Sequence, residues 1–418
     1  MLLAVCLAPW LAGAPDGKPS GMSLSKMEPS LRPAGAWAEA FDDQWRQTRG
    51  QVQSWARSGD SWQHYSLAYS IDALTSAYLA TGRTSYVQDG LDLLADVIAT
   101  SRPSTELRDS SFHDRYRGWA SHFPQDRGDE VALYESYLWR YGTGLLRVVR
   151  QDPVLWEQPS LRTAYAGLLA AATQDVFDKW WSRGADSYIY RERVHLSAHW
   201  ALIAINLSLI DPTPSRRAHY VDIVRRFVQG SVASGEPGLR TQLVPSPVDP
   251  AAWFWSDVWG SYDLPGQDVS HGSAVVAFAV EAHSLGILSD DDLGRFRRTF
   301  TAVVWPRAGA GAGFVDGSGE GSGWFSDGFV KLGRYDAGLQ ARLEQHQPAN
   351  GQFYAALALN AAVLACGHSA TWAGTDGVLL PPACRPTQGL LPVDPSLVTA
   401  DGAGSPGGPP RPAGRVGG

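Results

Sequence analysis

The chain has 418 residues, of which 44% are hydrophobic, enough to bury the core of one large domain or two ordinary ones. The formal net charge is −7 and no block of Lys and Arg occurs, which argues against a nucleic-acid partner, because such a partner requires a basic face. The unusual count is 17 Trp, beside 15 Tyr and 13 Phe. Sugar rings bind to flat aromatic faces with polar groups at their edges, so the composition slightly favours a glycan partner.

The N-terminal segment is predicted to direct export. Residues 1–14 are mostly apolar and end in small residues, as in the h-region and cleavage site of a signal peptide. The basic n-region is missing, which leaves a truncated start open. Residues 15–35, rich in Pro, Gly and Ser, predict a leader. We therefore expect a secreted or periplasmic protein, in which Cys366 and Cys384 either form a disulfide or remain free thiols.

Between the leader and the tail, hydrophobic periodicity predicts helices almost throughout. They form pairs joined by turns, followed by one unpaired helix. The predicted ranges are 65–79 with 86–99, 135–149 with 161–180, 195–210 with 217–232, 272–285 with 290–304, and 352–366. Ser289 and Asp292 fit a capping box. The Pro/Gly-rich residues 385–418 predict a disordered tail, and no run of about 18 apolar residues predicts a membrane span.

The spacing of the pairs predicts their arrangement. They begin about 60 to 80 residues apart, and long loops precede several of the first helices. Hairpins closed into a ring, an (α/α) toroid, would place the first helix of each pair inside, with all their starts on one face. Polar residues occur at each of these starts: His64, Tyr65, Glu135, Tyr137, His195, His199, Asp268, His271, Gln352 and Tyr354. We therefore predict an all-α single domain, residues 36–384, folded as an (α/α) toroid with a cleft at this face.

The start of the helix at 272 is the first candidate site. Gln267-Asp-Val-Ser-His271 follows an aromatic run that includes Trp255. Asp268 either caps the helix or serves as a catalytic carboxylate. An imidazole near a helix N-terminus tends to stay neutral, so His271 can act as a base.

A second cluster precedes and enters the helix at 195. His195 and His199 are four residues apart and share a helical face. Leu196 stands where a zinc-protease motif has Glu, and no third ligand is evident, so we expect no metal. Capping or core packing of these histidines remains open beside substrate contact or proton transfer, for which Tyr190 and Arg191 are further candidates.

The loop before the last helix is the third candidate. Its glycine-rich stretches between 309 and 323 follow no predicted strand and lack the Lys of a phosphate-binding loop, so we expect no nucleotide and no cofactor. The loop is predicted to carry Trp324 and Asp327 across the cleft. Arg334 and Tyr335 are either a carboxylate clamp with an acid/base phenol or a solvated turn.

The hairpin Tyr65-Ser-Leu-Ala-Tyr-Ser-Ile-Asp-Ala-Leu to Tyr78-Leu-Ala-Thr-Gly, the many Trp and the polar helix starts resemble secreted (α/α)-toroid carbohydrate enzymes. The resemblance spans about residues 60–370 and is strongest to uronate polysaccharide lyases of the alginate, glucuronan and chondroitin AC types. The Asn-Asn-His-Ser pattern of alginate lyases is absent. The resemblance implies β-elimination without a metal: a polar group neutralises the uronate carboxylate, Tyr or His removes the C5 proton, and Tyr protonates the leaving oxygen.

Individual roles follow from this resemblance. It implies His271 or His199 as base or neutraliser, Tyr190 or Tyr335 as acid/base, and Arg191 or Arg334 as carboxylate clamp. Further substrate contacts are expected from residues at the same helix starts and loops: His64, Glu135, His195, Asp268, Trp255 and Trp324. The expected partner is an anionic polysaccharide, and the expected state is a monomer.

Two alternatives remain. A glycoside hydrolase on the same toroid would use two carboxylates on opposite sides of the scissile bond, from among Glu135, Asp268 and Asp327. A non-catalytic glycan-binding protein would need none of them.

Overall fold

The computed structural model describes residues 30–232, 235–307, 309, 311–346, 350–368 and 382–384. These residues are mostly helical, which confirms the predicted all-α class. The predicted signal peptide, most of the leader and the tail lie outside the described residues.

The α-helices of the described residues follow one another in chain order. Their bounds are α1 (Ala34–Ala56), α2 (Ser61–Thr81), α3 (Thr84–Ala99), α4 (Ala132–Gln151), α5 (Pro153–Trp156), α6 (Pro159–Ala171), α7 (Lys179–Tyr188), α8 (Val194–Ile210), α9 (Pro214–Gln229), α10 (Leu239–Gln242), α11 (Val269–Ser284), α12 (Asp290–Arg298), α13 (Ala337–Leu343) and α14 (Gly351–His368). Two π-helical segments, Ala172–Asp178 and Thr299–Val304, extend α6 and α12.

Each predicted helix is present within a few residues of its predicted bounds, except that the range 161–180 comprises α6, a π-helical segment and α7, which ends at Tyr188. Ser289 and Asp292 form the predicted capping box. Helix α1 was not predicted, and its first two residues lie at the end of the predicted leader. Cys366 and Cys384 form a disulfide.

Helix burial divides the helices into two groups. Every residue of α8 except Ser208 is buried, and α2, α4, α11 and α14 are buried on most faces, as expected of helices that are apolar all round. In α1, α3, α9 and α12, half or more of the residues stay at least partly exposed. Among the buried helices α14 packs against α2, α2 against α4, α4 against α8, and α8 against α11. A 3₁₀-helix, Phe329–Tyr335, contacts both α11 and α14.

Loops with very short strands precede two of the buried helices. β1 (Arg102–Pro103) pairs antiparallel with β2 (Arg117–Gly118) before α4, and β3 (Val244–Pro245) pairs antiparallel with β4 (Trp253–Phe254) before α11. Of the helices that the structure describes, none is both long and apolar enough to cross a membrane.

Candidate active site

Two Asp–His pairs lie at the starts of α8 and α11. Nδ1 of His195 is 2.9 Å from Oδ1 of Asp257, and Nδ1 of His271 is 2.7 Å from Oδ2 of Asp268. The two imidazole centroids are 4.5 Å apart. A carboxylate can only accept, so Nδ1–H donates in both pairs, and Nε2 is the remaining nitrogen of each ring.

Long-range backbone pairing brings Asp257 to the His195 ring, and helix capping brings Asp268 to the His271 ring. The amide of Val194 donates to the carbonyl of Asp257, and the amide of Trp259 donates to the carbonyl of Glu192, so the loop before α11 lies across the start of α8. Asp268 is the N-cap of α11 and accepts from the backbone amide of His271 as well as from its ring.

The two histidines have opposite electrostatic environments. The His195 side chain is 8% exposed, and burial, with the neighbouring His271, lowers its pKa to about 3. The His271 side chain is 53% exposed, and the hydrogen bond to Asp268 raises its pKa above the ordinary value. His195 therefore stays neutral at working pH, while His271 titrates in or above the range of an ordinary histidine.

His199 lies one turn further along α8 and is buried. Ser136 Oγ donates to the carbonyl of Leu133, and it lies 3.3 Å from Nδ1 of His199. The hydroxyl has one proton, so Nδ1–H donates to it and Nε2 carries the lone pair. Among the described residues Nε2 has no hydrogen-bond partner. Burial, together with the charge of Arg140, lowers the pKa of His199 well below its ordinary value.

A tyrosine pair continues the cluster on α2 and α4. The Tyr137 ring meets the His199 ring edge-on at 5.0 Å, and the Tyr137 hydroxyl donates to the Tyr69 hydroxyl at 3.1 Å. Tyr69 is partly exposed, and its ring lies 5.7 Å from that of Trp324. Burial raises the pKa of the Tyr69 phenol, so it stays protonated and able to donate.

Beneath the tyrosines lies a buried ion pair. Nη2 of Arg140 donates to both carboxylate oxygens of Asp327, at 2.9 and 2.8 Å, and the Tyr141 hydroxyl donates to the same carboxylate. Both charged side chains are at most 1% exposed. The Arg140 guanidinium of this pair lies 4.0 Å from the centroid of the Tyr137 ring.

Positive charge borders the histidines from the segment leading into α8. The Arg193 guanidinium pairs with Asp257, and its charge acts on both His195 and His271. The charge of Arg191 also lowers the pKa of His199, so its guanidinium lies within electrostatic range of that ring.

Of the residues predicted from sequence, the structure brings His195, His199, His271 and Asp268 together. Three others pack elsewhere. Tyr190 is 1% exposed and lies under the guanidinium of Arg226 on α9; Trp255 is buried against Phe296; and His64 is buried edge-on against Trp119. No local sequence pattern predicts that these side chains point away from a cleft.

The predicted Arg334 and Tyr335 also lie away from the histidines. The Tyr335 ring contacts His283, near the end of α11 and 12 residues beyond His271. At 1.5 Å per residue this is about 18 Å along the helix. Arg334 donates to Asn360 in the second half of α14. The geometry favours neither residue as part of a site with His271.

The predicted Glu135 belongs to a separate buried ion cluster. Nζ of Lys179 lies 2.8 Å from Glu135 and 3.2 Å from Glu130, and Trp180 donates to the second Glu135 oxygen at 2.8 Å. Arg183 donates to Glu130 at 3.0 Å. We call these residues the Lys179 cluster. Its side chains are at most 3% exposed, so it offers nothing to a substrate.

Several residues of the site were not predicted as site residues: Tyr69, Arg140, Asp257 and Arg193. Tyr137 was predicted only as one of the polar residues at the helix starts. The four-residue spacing of Tyr65 with Tyr69, and of Tyr137 with Tyr141, was an available signal, because such residues share a helical face. Asp257 lies in a loop and had no local signal.

Within the described ranges no group of three or more His, Cys, Asp or Glu is placed to hold a metal ion. Comparisons with protein-family models, with curated proteins and with solved structures find no match to this chain.

Proposed function

We propose that the chain is a secreted (α/α)-toroid enzyme that cleaves a uronate-containing polysaccharide by β-elimination. The observation that carries this proposal is the pair of Asp-anchored imidazoles 4.5 Å apart, linked through His199 to the Tyr69–Tyr137 hydroxyl pair. It combines a histidine of raised pKa with a phenol that stays protonated, which are a base and an acid.

The packing order supports the toroid part of the proposal. From α14 through α2, α4 and α8 to α11, each buried helix contacts the next, and the 3₁₀-helix Phe329–Tyr335 contacts both end members. A ring closed in this way would gather the starts of α8 and α11 on one face.

In the proposed reaction His271 is the base. Its Nε2 takes the C5 proton of the uronate, the C4–O bond breaks, and a C4–C5 double bond forms. The Tyr69 hydroxyl gives its proton to the leaving oxygen. Arg191 and Arg193 hold the uronate carboxylate, whose neutralisation acidifies the C5 proton. His195, neutral at working pH, accepts a hydrogen bond from a sugar hydroxyl.

The hydrolase alternative has less support. Of its three candidate carboxylates, Glu135 pairs with Lys179 and Asp327 with Arg140, both in full burial. Only Asp268 is partly exposed, and it is engaged by His271. Hydrolysis needs two carboxyl groups at the scissile bond.

Product analysis on a panel of polyuronates tests the proposal. We expect ultraviolet absorbance of an unsaturated uronate to rise together with new reducing ends. New reducing ends without absorbance would indicate a hydrolase. Binding without either product would indicate a glycan-binding protein, and both outcomes would contradict the elimination.

A further inference from the structure

A groove of about 350 Å³ lies between α1, α2 and the start of α14. Its aromatic lining comes from Trp45, Trp55, Tyr69 and Trp324. The volume lies within the range of ligand pockets, about 300–1,000 Å³. Tyr69 lines the groove and its hydroxyl accepts from Tyr137, so the groove and the candidate active site share this residue.

Two glutamines, Gln44 and Gln352, line this groove. Gln352 is 4% exposed, and its Nε2 donates to Asp72 at 2.8 Å. A carboxylate cannot donate, so this bond fixes the amide orientation. Oε1 of Gln352 is then left without a partner among the described residues, and so is Oε1 of Gln44. A buried acceptor without a partner is unfavourable, which favours a ligand whose hydroxyl groups reach it.

The groove and the histidine cluster differ in the charge of the side chains around them. No charged side chain lines it in the part of the chain that the structure describes. The proposed uronate site, by contrast, is bordered by Arg191 and Arg193. A sugar carboxylate in the groove would lose hydration without gaining an ion pair, whereas an uncharged ring would lose little.

We infer that the groove binds a neutral pyranose of the same chain whose uronate lies at His271. The substrate is then a heteropolymer in which uncharged sugars accompany the uronate. The link between groove and substrate rests on the proposed function, while binding of a neutral sugar in the groove does not.

Binding is measured first, separately from catalysis. Linear neutral hexasaccharides of glucose, mannose, galactose and xylose are titrated into the full chain carrying His271→Ala, by calorimetry. We expect at least one to bind, and Trp55→Ala in the same background to weaken it about tenfold, because an aromatic face is lost. Trp156→Ala is the matched control, since Trp156 packs on Tyr165 away from the groove.

A second variant guards against a folding defect. Gln44→Ala removes an acceptor from the partly exposed side of α1, and we expect it to weaken the same hexasaccharide about threefold at an unchanged melting temperature. Absence of binding by all four hexasaccharides, or equal binding by Trp55→Ala and the parent, would overturn the inference.

Elimination is measured next, with otherwise wild-type chains. On a uronate/neutral-sugar heteropolymer the KM of Trp55→Ala should rise about tenfold over wild type, and on a polyuronate homopolymer it should rise by a smaller factor. An equal loss on both polymers would overturn the neutral specificity. If wild type eliminates neither polymer, the proposed function fails, while the hexasaccharide titration still decides the groove.

Discussion

The histidines at α8 and α11 and the Lys179 cluster are both groups of ionisable residues at the starts of buried helices. In the Lys179 cluster both oxygens of Glu135 and both of Glu130 are bonded, and the side chains are fully buried. In the histidine cluster His271 is half exposed, and His199 Nε2 has no partner among the described residues. Solvent exposure of a titratable side chain, and not charge density, is what distinguishes the candidate site from a structural network.

The largest effect is expected at His271. His271→Ala should lower the elimination rate by about 10²–10⁴-fold, the range of a lost general base. His283→Ala is the matched control, because His283 is on the same helix and pairs with Asp290 at 2.8 Å. Initial rates of unsaturated product give the comparison. Equal rates for the two variants would remove His271 from the mechanism.

At Lys179 we expect a loss of folding stability without a loss of activity. Lys179→Met leaves Glu130 and Glu135 buried without their shared cation, so the free energy of unfolding should fall by about 3–5 kcal/mol. Urea denaturation measures it, and the elimination rate of the folded fraction should stay unchanged. Adding Glu135→Gln should restore part of the stability. A loss of activity without a loss of stability would place this cluster in the site.

His64 is a fully buried histidine outside the candidate site. It therefore tests whether the environment, and not the residue type, decides how a histidine contributes. Burial lowers its pKa to about 3, whereas the unfolded chain protonates near 6.5. The unfolded state therefore binds more protons between these values, and stability falls as the pH falls. His64→Leu should flatten this slope by about 1.4 kcal/mol per pH unit and leave elimination intact. Urea melts from pH 6.5 to 4 measure the slope, and an unchanged slope would contradict the neutral state.

The smallest effect is expected at Asp268. Asp268→Asn keeps an N-cap but removes the carboxylate that raises the pKa of His271. The acid limb of the kcat/KM profile should move to lower pH. In wild type the raised pKa stabilises the fold below the ordinary value, and this contribution is lost as the pH rises through the folded pKa. As the pH rises through the pKa of His271, the activity should therefore increase while this contribution to folding stability decreases. If the acid limb does not move, it reports the titration of a group other than His271.

The sequence allowed the helices and part of the site to be predicted, because both depend on local spacing. The Asp268–His271 separation of three residues at a helix start, and the four residues between His195 and His199, fix neighbours within one helix. Glu135 also lies at the start of a buried helix, so the sequence pattern alone did not distinguish it from the residues of the candidate site. Its burial depends on Lys179, 44 residues later, which no local rule predicts.

The same limit applies to the loops. Asp257 and Asp327 reach the site through long-range backbone pairing and a buried salt bridge. Tyr335 and Arg334 were predicted at the cleft because their loop was assumed to cross it. The 3₁₀-helix instead carries them toward the far end of α11.

Asp268 has one further consequence. The same carboxylate begins α11 and sets the proton affinity of the His271 ring. If the first turn of α11 unwinds, the proposed base loses its partner in the same event, without any change at the substrate. The exchange rate of the His271 amide hydrogen, which that carboxylate accepts, would then report the fraction of molecules ready to react.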